Sequence, residues 1–238
     1  FYIINISKYY YNDRNIRNKH LAILGFLSAY LLSIRISGIL IFIEYFIFFI
    51  FTLNLTNTPY LLFIKKFYKK ICLFLFTTLF LFYILSPSYW HNPFEVINGI
   101  KSMSQHIQTA CTMTLGECMK AQNLPSTYLP IWLFFKSPIL IIFGFILLAL
   151  REKTFFSSKN NQLIVAPIIV SFLSIILLLI LFKVNLYDEI RQVMFLIPLI
   201  FVIGLSAIFT LSKKISYSLI ILFIIFFTFQ NIKIYPYN

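Results

Sequence analysis

Long apolar runs separated by short polar segments dominate the hydrophobic pattern of this chain. A helix needs about 20 mostly apolar residues to cross the hydrocarbon core of a bilayer, and the runs approach that length with almost no charge. The pattern therefore predicts an all-α polytopic membrane protein with about seven transmembrane spans. We expect these spans near 21–34, 37–55, 71–86, 129–150, 163–183, 193–211 and 215–231.

The composition agrees with this interpretation. Hydrophobic residues make up 60% of the chain and charged residues 11%, whereas soluble domains carry roughly 25% charged residues. A soluble globular domain is therefore excluded. We divide the chain into 1–86, with an N-terminal cytoplasmic segment and spans one to three, an extracytoplasmic loop at 87–128, and 129–238 with spans four to seven.

The net charge of +13 would suit a nucleic-acid partner, but the positions of the basic residues indicate a membrane topology instead. Lys and Arg in short loops stay on the cytoplasmic side of a membrane. Most of the 20 basic residues fall on one side of the predicted spans, so we assign that side to the cytoplasm and expect no nucleic-acid partner. These residues are Lys8, Arg14, Arg17, Lys19, Lys65, Lys66, Lys69, Lys70, Arg151, Lys153, Lys159, Lys213 and Lys214.

A helix is predicted inside the outer loop. Asn92 is placed as its N-cap, Pro93 as its first residue and Glu95 at the third position, which together form a helix start signal. Apolar residues then recur at steps of three and four from Phe94 to Ile107, as in a helix that lies in the membrane interface. Either it covers the outer ends of the spans, or it forms one wall of a lipid-accessible active-site groove.

Two cysteines of the outer loop, Cys111 and Cys118, can form a disulfide if the loop faces an oxidising compartment. The third cysteine, Cys72, falls inside span three. The spacing does not match a zinc motif, and only His91 and His106 lie nearby in sequence, so no metal site is predicted.

Two charged residues fall at membrane depth. Glu44 lies about eight residues inside span two, roughly 12 Å below the outer surface, where a carboxyl marks a functional interior unless it is paired or protonated. Lys136 lies at a similar depth in span four, two residues before Pro138. It is either a snorkelling anchor or a cation for an anionic headgroup.

The outer turn 185–192 places Tyr187, Asp188, Glu189 and Arg191 between two apolar spans. The planar guanidinium of Arg191 can bind a phosphate through two hydrogen bonds, and Asp188 can orient it or bind a sugar hydroxyl. The alternative is a self-satisfied turn with a surface ion pair.

Four segments together resemble one enzyme family. They read GFLSAYLLSIRISG at 25–38, YWHNPF at 89–94, LGECMKAQNLPSTYLPIWLFFKSP at 115–138 and YDEIRQVMFLIP at 187–198. Their order and spacing resemble the integral-membrane glycosyltransferases of the family 39 type, which are related to protein O-mannosyltransferases and lipid A aminoarabinose transferases. Ser126 and Glu189 depart from the family pattern, which commonly has Trp and Gly there.

The resemblance implies a GT-C-type helix bundle that transfers a sugar from a polyprenyl- or dolichyl-phosphate carrier on the non-cytoplasmic face. The acceptor is a lipid, a glycan or a protein, and no further cofactor is implied. The transfer would invert the anomeric centre, with a carboxylate taking the acceptor proton. A bacterial inner (plasma) membrane with an outward active face is the expected location.

The resemblance also implies roles for individual residues. Arg191 and Lys136 are expected to bind the donor phosphate, and the groove-lining candidates are Tyr187, Asp188, His91 and Glu117. The family carries its catalytic acid in an outer loop that would precede this chain. Because the chain begins with Phe1, we expect it to be a C-terminal fragment that transfers no sugar alone.

Two other functions compete with this hypothesis. One is a transporter or flippase of lipid-linked sugars, which should carry polar residues through several spans, whereas spans five to seven are almost uniformly apolar. The other is an inactive fragment.

Overall fold

The computed structural model describes an almost entirely helical chain. The described residues are 2–12, 16–34, 36–92, 94–104, 111–114, 116–120, 123–184, 186 and 191–234. Their helices are α1 (Tyr2–Tyr11), α2 (Asn18–Ile34), α3 (Ile41–Leu55), α4 (Tyr60–Leu85), α5 (Glu95–Ser104), α6 (Tyr128–Lys136), α7 (Ile139–Leu150), α8 (Glu152–Phe156), α9 (Lys159–Leu181), α10 (Leu196–Ile208) and α11 (Lys213–Ile234). Short 3₁₀ segments cover Ile36–Leu40, Pro87–Tyr89 and Arg191–Val193.

Four helical segments of the described chain are long and apolar enough to cross a membrane. They are Gly38–Leu55, Tyr60–Leu85, Lys159–Leu181 and Lys213–Lys233. A fifth crossing is added if the bent pair α6 and α7 counts as one span. The helices α2 and α10 are apolar but shorter. The architecture is therefore that of a multi-pass helical membrane protein, with four or five such spans by length and composition.

The predicted span over 129–150 is not one straight helix. The structure breaks this segment into α6 and α7, whose axes are bent by 112° relative to each other. Pro138 lacks a backbone N–H and disfavours helical geometry at the residue before it, and Ser137 is accordingly extended, with ψ of 133°. The Ser137 hydroxyl donates to the carbonyl of Leu133 at 2.6 Å and closes the end of α6.

The lysines at 65–70 were expected in a loop but lie on α4, which begins at Tyr60. Lysine is a good helix former whose long side chain can carry its charge away from apolar surface. Aromatic residues between the lysines give these turns packing partners, because Phe63 and Phe67 both contact the ring of Tyr10 from α1. Span three is therefore longer than predicted at this end.

The segment 87–128 contains the predicted helix and, in addition, a hairpin that was not predicted. The helix α5 begins at Glu95, two residues later than predicted, and the Oδ1 of Asn92 accepts the Phe94 N–H at 3.1 Å just ahead of it. Strands β1 (Cys111–Thr114) and β2 (Glu117–Lys120) pair antiparallel around Gly116, which has φ of +85°. The prediction of an all-α chain is thus corrected by one small two-stranded sheet, because four-residue strands leave little periodic signal in the sequence.

The core forms where helices approach closely through small residues. Gly144 of α7 faces Gly204 of α10, so that an added Cβ on Gly144 would lie 2.7 Å from the Gly204 Cα. Gly25 of α2 faces Thr77 of α4 in the same manner. The largest buried cluster lies at the start of α10, next to the 3₁₀ segment Arg191–Val193. It joins α6, α7, α9 and α10 through Tyr128, Leu129, Leu133, Ile141, Ile175, Val193, Leu196 and Ile200.

Candidate functional site

A half-enclosed cavity of about 520 Å³ combines an acidic residue, a basic residue and an amide with apolar walls. Its polar members are Glu44, Arg191 and Gln192. The rest of its described lining is mainly hydrocarbon: Leu31, Ile34, Gly38, Leu40, Ile41, Ile175, Met194, Phe195 and Leu199. A cavity of this size and make-up suits a ligand with a charged head and an apolar tail.

Glu44 reaches this cavity because the chain turns back tightly between α2 and α3. Gly38 permits the turn, since a Cβ there would lie 2.8 Å from the carbonyl oxygen of Leu31. The hydroxyl of Tyr45 then shares a hydrogen bond of 3.0 Å with Ser28 of α2, which fixes the first turn of α3 against its neighbour. The carboxyl of Glu44, one residue earlier, is partly buried as a result.

Arg191 enters the cavity from the opposite half of the sequence. It opens the 3₁₀ segment that leads into α10, and its side chain is exposed. Two residues later Val193 is buried, and Leu196 is fully buried at the start of α10. These buried side chains anchor the 3₁₀ segment at the start of α10. The backbone that carries Arg191 is therefore held by packing.

One wall of the cavity consists of apolar residues from two helices. Ile175 of α9 is buried in the main core cluster, and Leu199 of α10 packs against the same cluster. These side chains give the cavity a hydrocarbon surface beside Glu44 and Arg191. The arrangement favours binding of an anion at Arg191 with a hydrocarbon chain alongside.

The predicted site residues fall into three groups. Arg191 lines the cavity, whereas Tyr187 and Asp188 lie outside the described residues. The other candidates are described but are absent from its lining: Lys136, His91 and Glu117 are all exposed at other positions.

Lys136 occupies the end of α6 at the break before α7. Its Nζ lies 5.3 Å from the ring centroid of Trp132, which is a cation–π distance. Its role as an interfacial anchor or as a cation for an anionic headgroup stays a prediction.

Sequence reasoning identified Glu44 as unusual but did not place it with Arg191. It also missed Gln192, the neighbour of Arg191 in the same cavity. The available signal was depth, because Glu44 was expected about 12 Å below the outer surface and Arg191 at the outer mouth between two apolar spans. Depth alone does not say which spans are adjacent.

The Leu124–Tyr128 motif borders a separate cavity of about 370 Å³ at the end of α9. Tyr128 is almost fully buried there and anchors α6 in the main core cluster. Lys183 closes the end of α9 with φ of +46°, and its N–H donates to the carbonyl of Ile180 at 3.1 Å. This motif therefore has a clear structural role in joining α6 to α9.

The expected disulfide is supported for one of its two cysteines. Cys118, on β2, is disulfide-bonded, while Cys72 on α4 is free and exposed. The side chain of Cys111 lies outside the described residues. Among the residues that the structure describes, no group of three or more His, Cys, Asp or Glu side chains could hold a metal ion.

Comparison with known proteins adds no relative: no family model matches the chain, and neither a curated protein nor a solved structure does.

Proposed function

We propose that this chain belongs to a membrane glycosyltransferase that takes its sugar from a lipid-phosphate carrier. The observation that carries the proposal is the shared cavity of Glu44 and Arg191, with its hydrocarbon walls. A polyprenyl-phosphate sugar has an anionic group between an apolar tail and a hydroxyl-rich head. Each of these three parts has a matching partner in the cavity.

In this proposal Arg191 binds the phosphate. Guanidinium can donate two parallel hydrogen bonds to phosphate oxygens, and it retains its charge at any physiological pH. In the transfer step the acceptor oxygen bonds to the anomeric carbon while the bond from that carbon to the phosphate oxygen breaks. The phosphate leaves with the bonding electron pair, so Arg191 stabilises the charge that develops there.

Glu44 would face the sugar. A carboxylate accepts hydrogen bonds from hydroxyl groups, and several such bonds can orient the ring relative to the phosphate at Arg191. The acceptor proton goes to a carboxylate base, which members of the resembling family carry in their first outer loop. The apolar wall at Ile175, Met194 and Leu199 would hold the first isoprene units of the carrier.

Binding of the carrier gives the direct test. The purified protein in phosphatidylcholine nanodiscs should bind polyprenyl monophosphate at least tenfold more tightly than polyprenol of the same length, because only the former carries the charge that Arg191 recognises. Arg191→Ala should remove the difference, whereas the control Arg151→Ala, at the end of α7 and outside the cavity, should not. Equal binding of the two lipids would overturn the proposal.

A second measurement separates transfer from transport. Incubation of the full-length protein with polyprenyl-phosphate sugars and mixed acceptors should release polyprenyl phosphate, which mass spectrometry detects whatever the acceptor is. Binding without release, together with movement of the intact lipid across the bilayer, would favour a flippase instead.

A further inference from the structure

A crevice with almost purely hydrocarbon walls lies between the first four helices. It encloses about 350 Å³, and α3 separates it from the cavity described above, since Glu44 lines one and Tyr45 the other. Ile3 of α1, Phe49 of α3 and Phe67 of α4 belong to its walls. The charged residue in its described lining is Lys70.

The crevice is long enough for most of an acyl chain in one leaflet of a bilayer. Its lining on α4 runs from Phe63 to Leu75, and the part that follows Lys66, from Phe67 to Leu75, is about 12 Å long at 1.5 Å per residue. Half of the hydrocarbon core of a membrane is about 15 Å. A single acyl chain that runs parallel to α4 would therefore be covered over most of its length.

The lysines of α4 lie alongside the crevice. The Nζ of Lys70 donates to the carbonyl of Ile16 at 2.7 Å and lies 5.3 Å from the ring centroid of Phe67. The Nζ of Lys66 lies 5.5 Å from the same ring. Two ammonium groups thus flank an aromatic ring that is itself part of the wall.

All charged residues of α4 are basic. Lys65, Lys66 and Lys69 are exposed, and the sequence of α4 contains no acidic residue to offset them. Basic clusters beside a membrane attract anionic lipids with about 1 kcal/mol per Lys or Arg. Apolar walls beside a lysine cluster complement the acyl chain and the charge of an anionic phospholipid.

We propose that this crevice binds one acyl chain of an anionic phospholipid, with the lipid phosphate at the lysines of α4. The amphiphile lies between α1 and α4, so that it holds the N-terminal helix against the bundle. Tyr10 supports this location of α1, because its ring packs edge-on against Phe63 at 5.1 Å and its hydroxyl donates to Thr58 at 3.2 Å. The proposal does not depend on the chemistry of the other cavity.

Lipid retention measures the effect. The protein is purified from nanodiscs of equal parts phosphatidylglycerol and phosphatidylcholine, and native mass spectrometry counts the lipids that remain bound. We expect one phosphatidylglycerol to be retained preferentially. The double variant Lys66→Gln and Lys69→Gln should lose this preference by about fivefold per lysine, while Lys70 is kept because it contacts the backbone.

Two matched variants make the result specific. Lys213→Gln with Lys214→Gln removes two exposed lysines from the start of α11 and should leave retention unchanged. Leu75→Trp fills the far end of the crevice and should reduce retention of either lipid while the protein stays monodisperse. An equal loss from the α11 pair, equal retention of phosphatidylcholine, or a second copy of the chain in place of lipid would each overturn the proposal.

Measuring polyprenyl monophosphate binding in the same variants distinguishes this proposal from the proposed function. The crevice variants should bind it as the parent does, because α3 lies between the two sites. Failure of the carrier test with intact phosphatidylglycerol retention would remove the proposed function alone.

Discussion

Glu44 and Arg191 line one cavity, although one lies in the first turn of α3 and the other just ahead of α10. The tight turn at Gly38 positions Glu44. The buried side chains of Val193 and Leu196 position Arg191. The pair places opposite formal charges beside hydrocarbon walls.

The guanidinium geometry of Arg191 should matter more than its charge alone. Arg191→Ala should weaken polyprenyl monophosphate binding by about tenfold or more, since a hydrogen bond to a charged group contributes about 1.5–3 kcal/mol. Arg191→Lys should recover only part of the loss, because Lys keeps the charge but not the paired donors. Titration in nanodiscs measures both. Binding within about twofold of the parent for Arg191→Ala would reduce this residue to a surface partner.

Glu44→Gln should separate binding from transfer. The substitution keeps the side-chain size but removes a negative charge from the cavity, so affinity for polyprenyl monophosphate should stay equal or rise. In the full-length protein, release of polyprenyl phosphate from the sugar-loaded carrier should fall about tenfold or more, because the hydroxyl contacts weaken. Glu152→Gln on the exposed α8 is the control and should leave both unchanged. A fall in carrier affinity with normal turnover would contradict the assigned role.

The cysteines should differ in reactivity. In denatured but unreduced protein, a maleimide should modify one of the three cysteines, Cys72, because Cys118 is disulfide-bonded. Reduction should raise the count to three, as read by intact mass. In Cys72→Ser the counts should be zero and two. Modification of all three without a reductant would exclude the disulfide in the isolated protein.

The contact between Gly144 and Gly204 should tolerate no side chain. Gly144→Ala should lower the free energy of unfolding by about 1–3 kcal/mol, because the methyl group overlaps the backbone of Gly204. Gly116 offers a comparison, since its added Cβ meets nothing within 4 Å but its φ is +85°. Asn tolerates this backbone region. Gly116→Asn should therefore remain near the parent in thermal unfolding, and Gly144→Asn should not. Similar losses in both would show that the α7–α10 contact is looser than described.

The orientation predicted from charge can be read with single cysteines in a Cys72→Ser background. An impermeant maleimide on intact cells should label Ser104→Cys in the outer loop. It should reach Ser157→Cys, between α8 and α9, only after permeabilisation. The opposite result would invert the topology and place the cavity of Arg191 at the cytoplasmic face.

Much of the local structure followed from sequence because it depends on near neighbours. Apolar runs of spanning length predict helices wherever they occur. The turn that leads into α5 needs only the side-chain oxygen of Asn92 and the nearby N–H of Phe94. The bend at Ser137 and Pro138 was also encoded locally, since a missing donor breaks a helix in any surroundings. Its angle of 112° was not, because the packing of α6 and α7 against other helices sets it.

What sequence alone determined was thus the membrane class and most helices, and it singled out Glu44 as a charged residue within an apolar segment. The tertiary structure decided which helices are neighbours, and thereby that Glu44 and Arg191 share a cavity while Lys136 faces Trp132. Apolar helix surfaces attract one another with little specificity, so periodicity cannot select partners. Backbone contacts such as Gly144 with Gly204, and single hydrogen bonds such as Tyr45 with Ser28, select them in the folded chain.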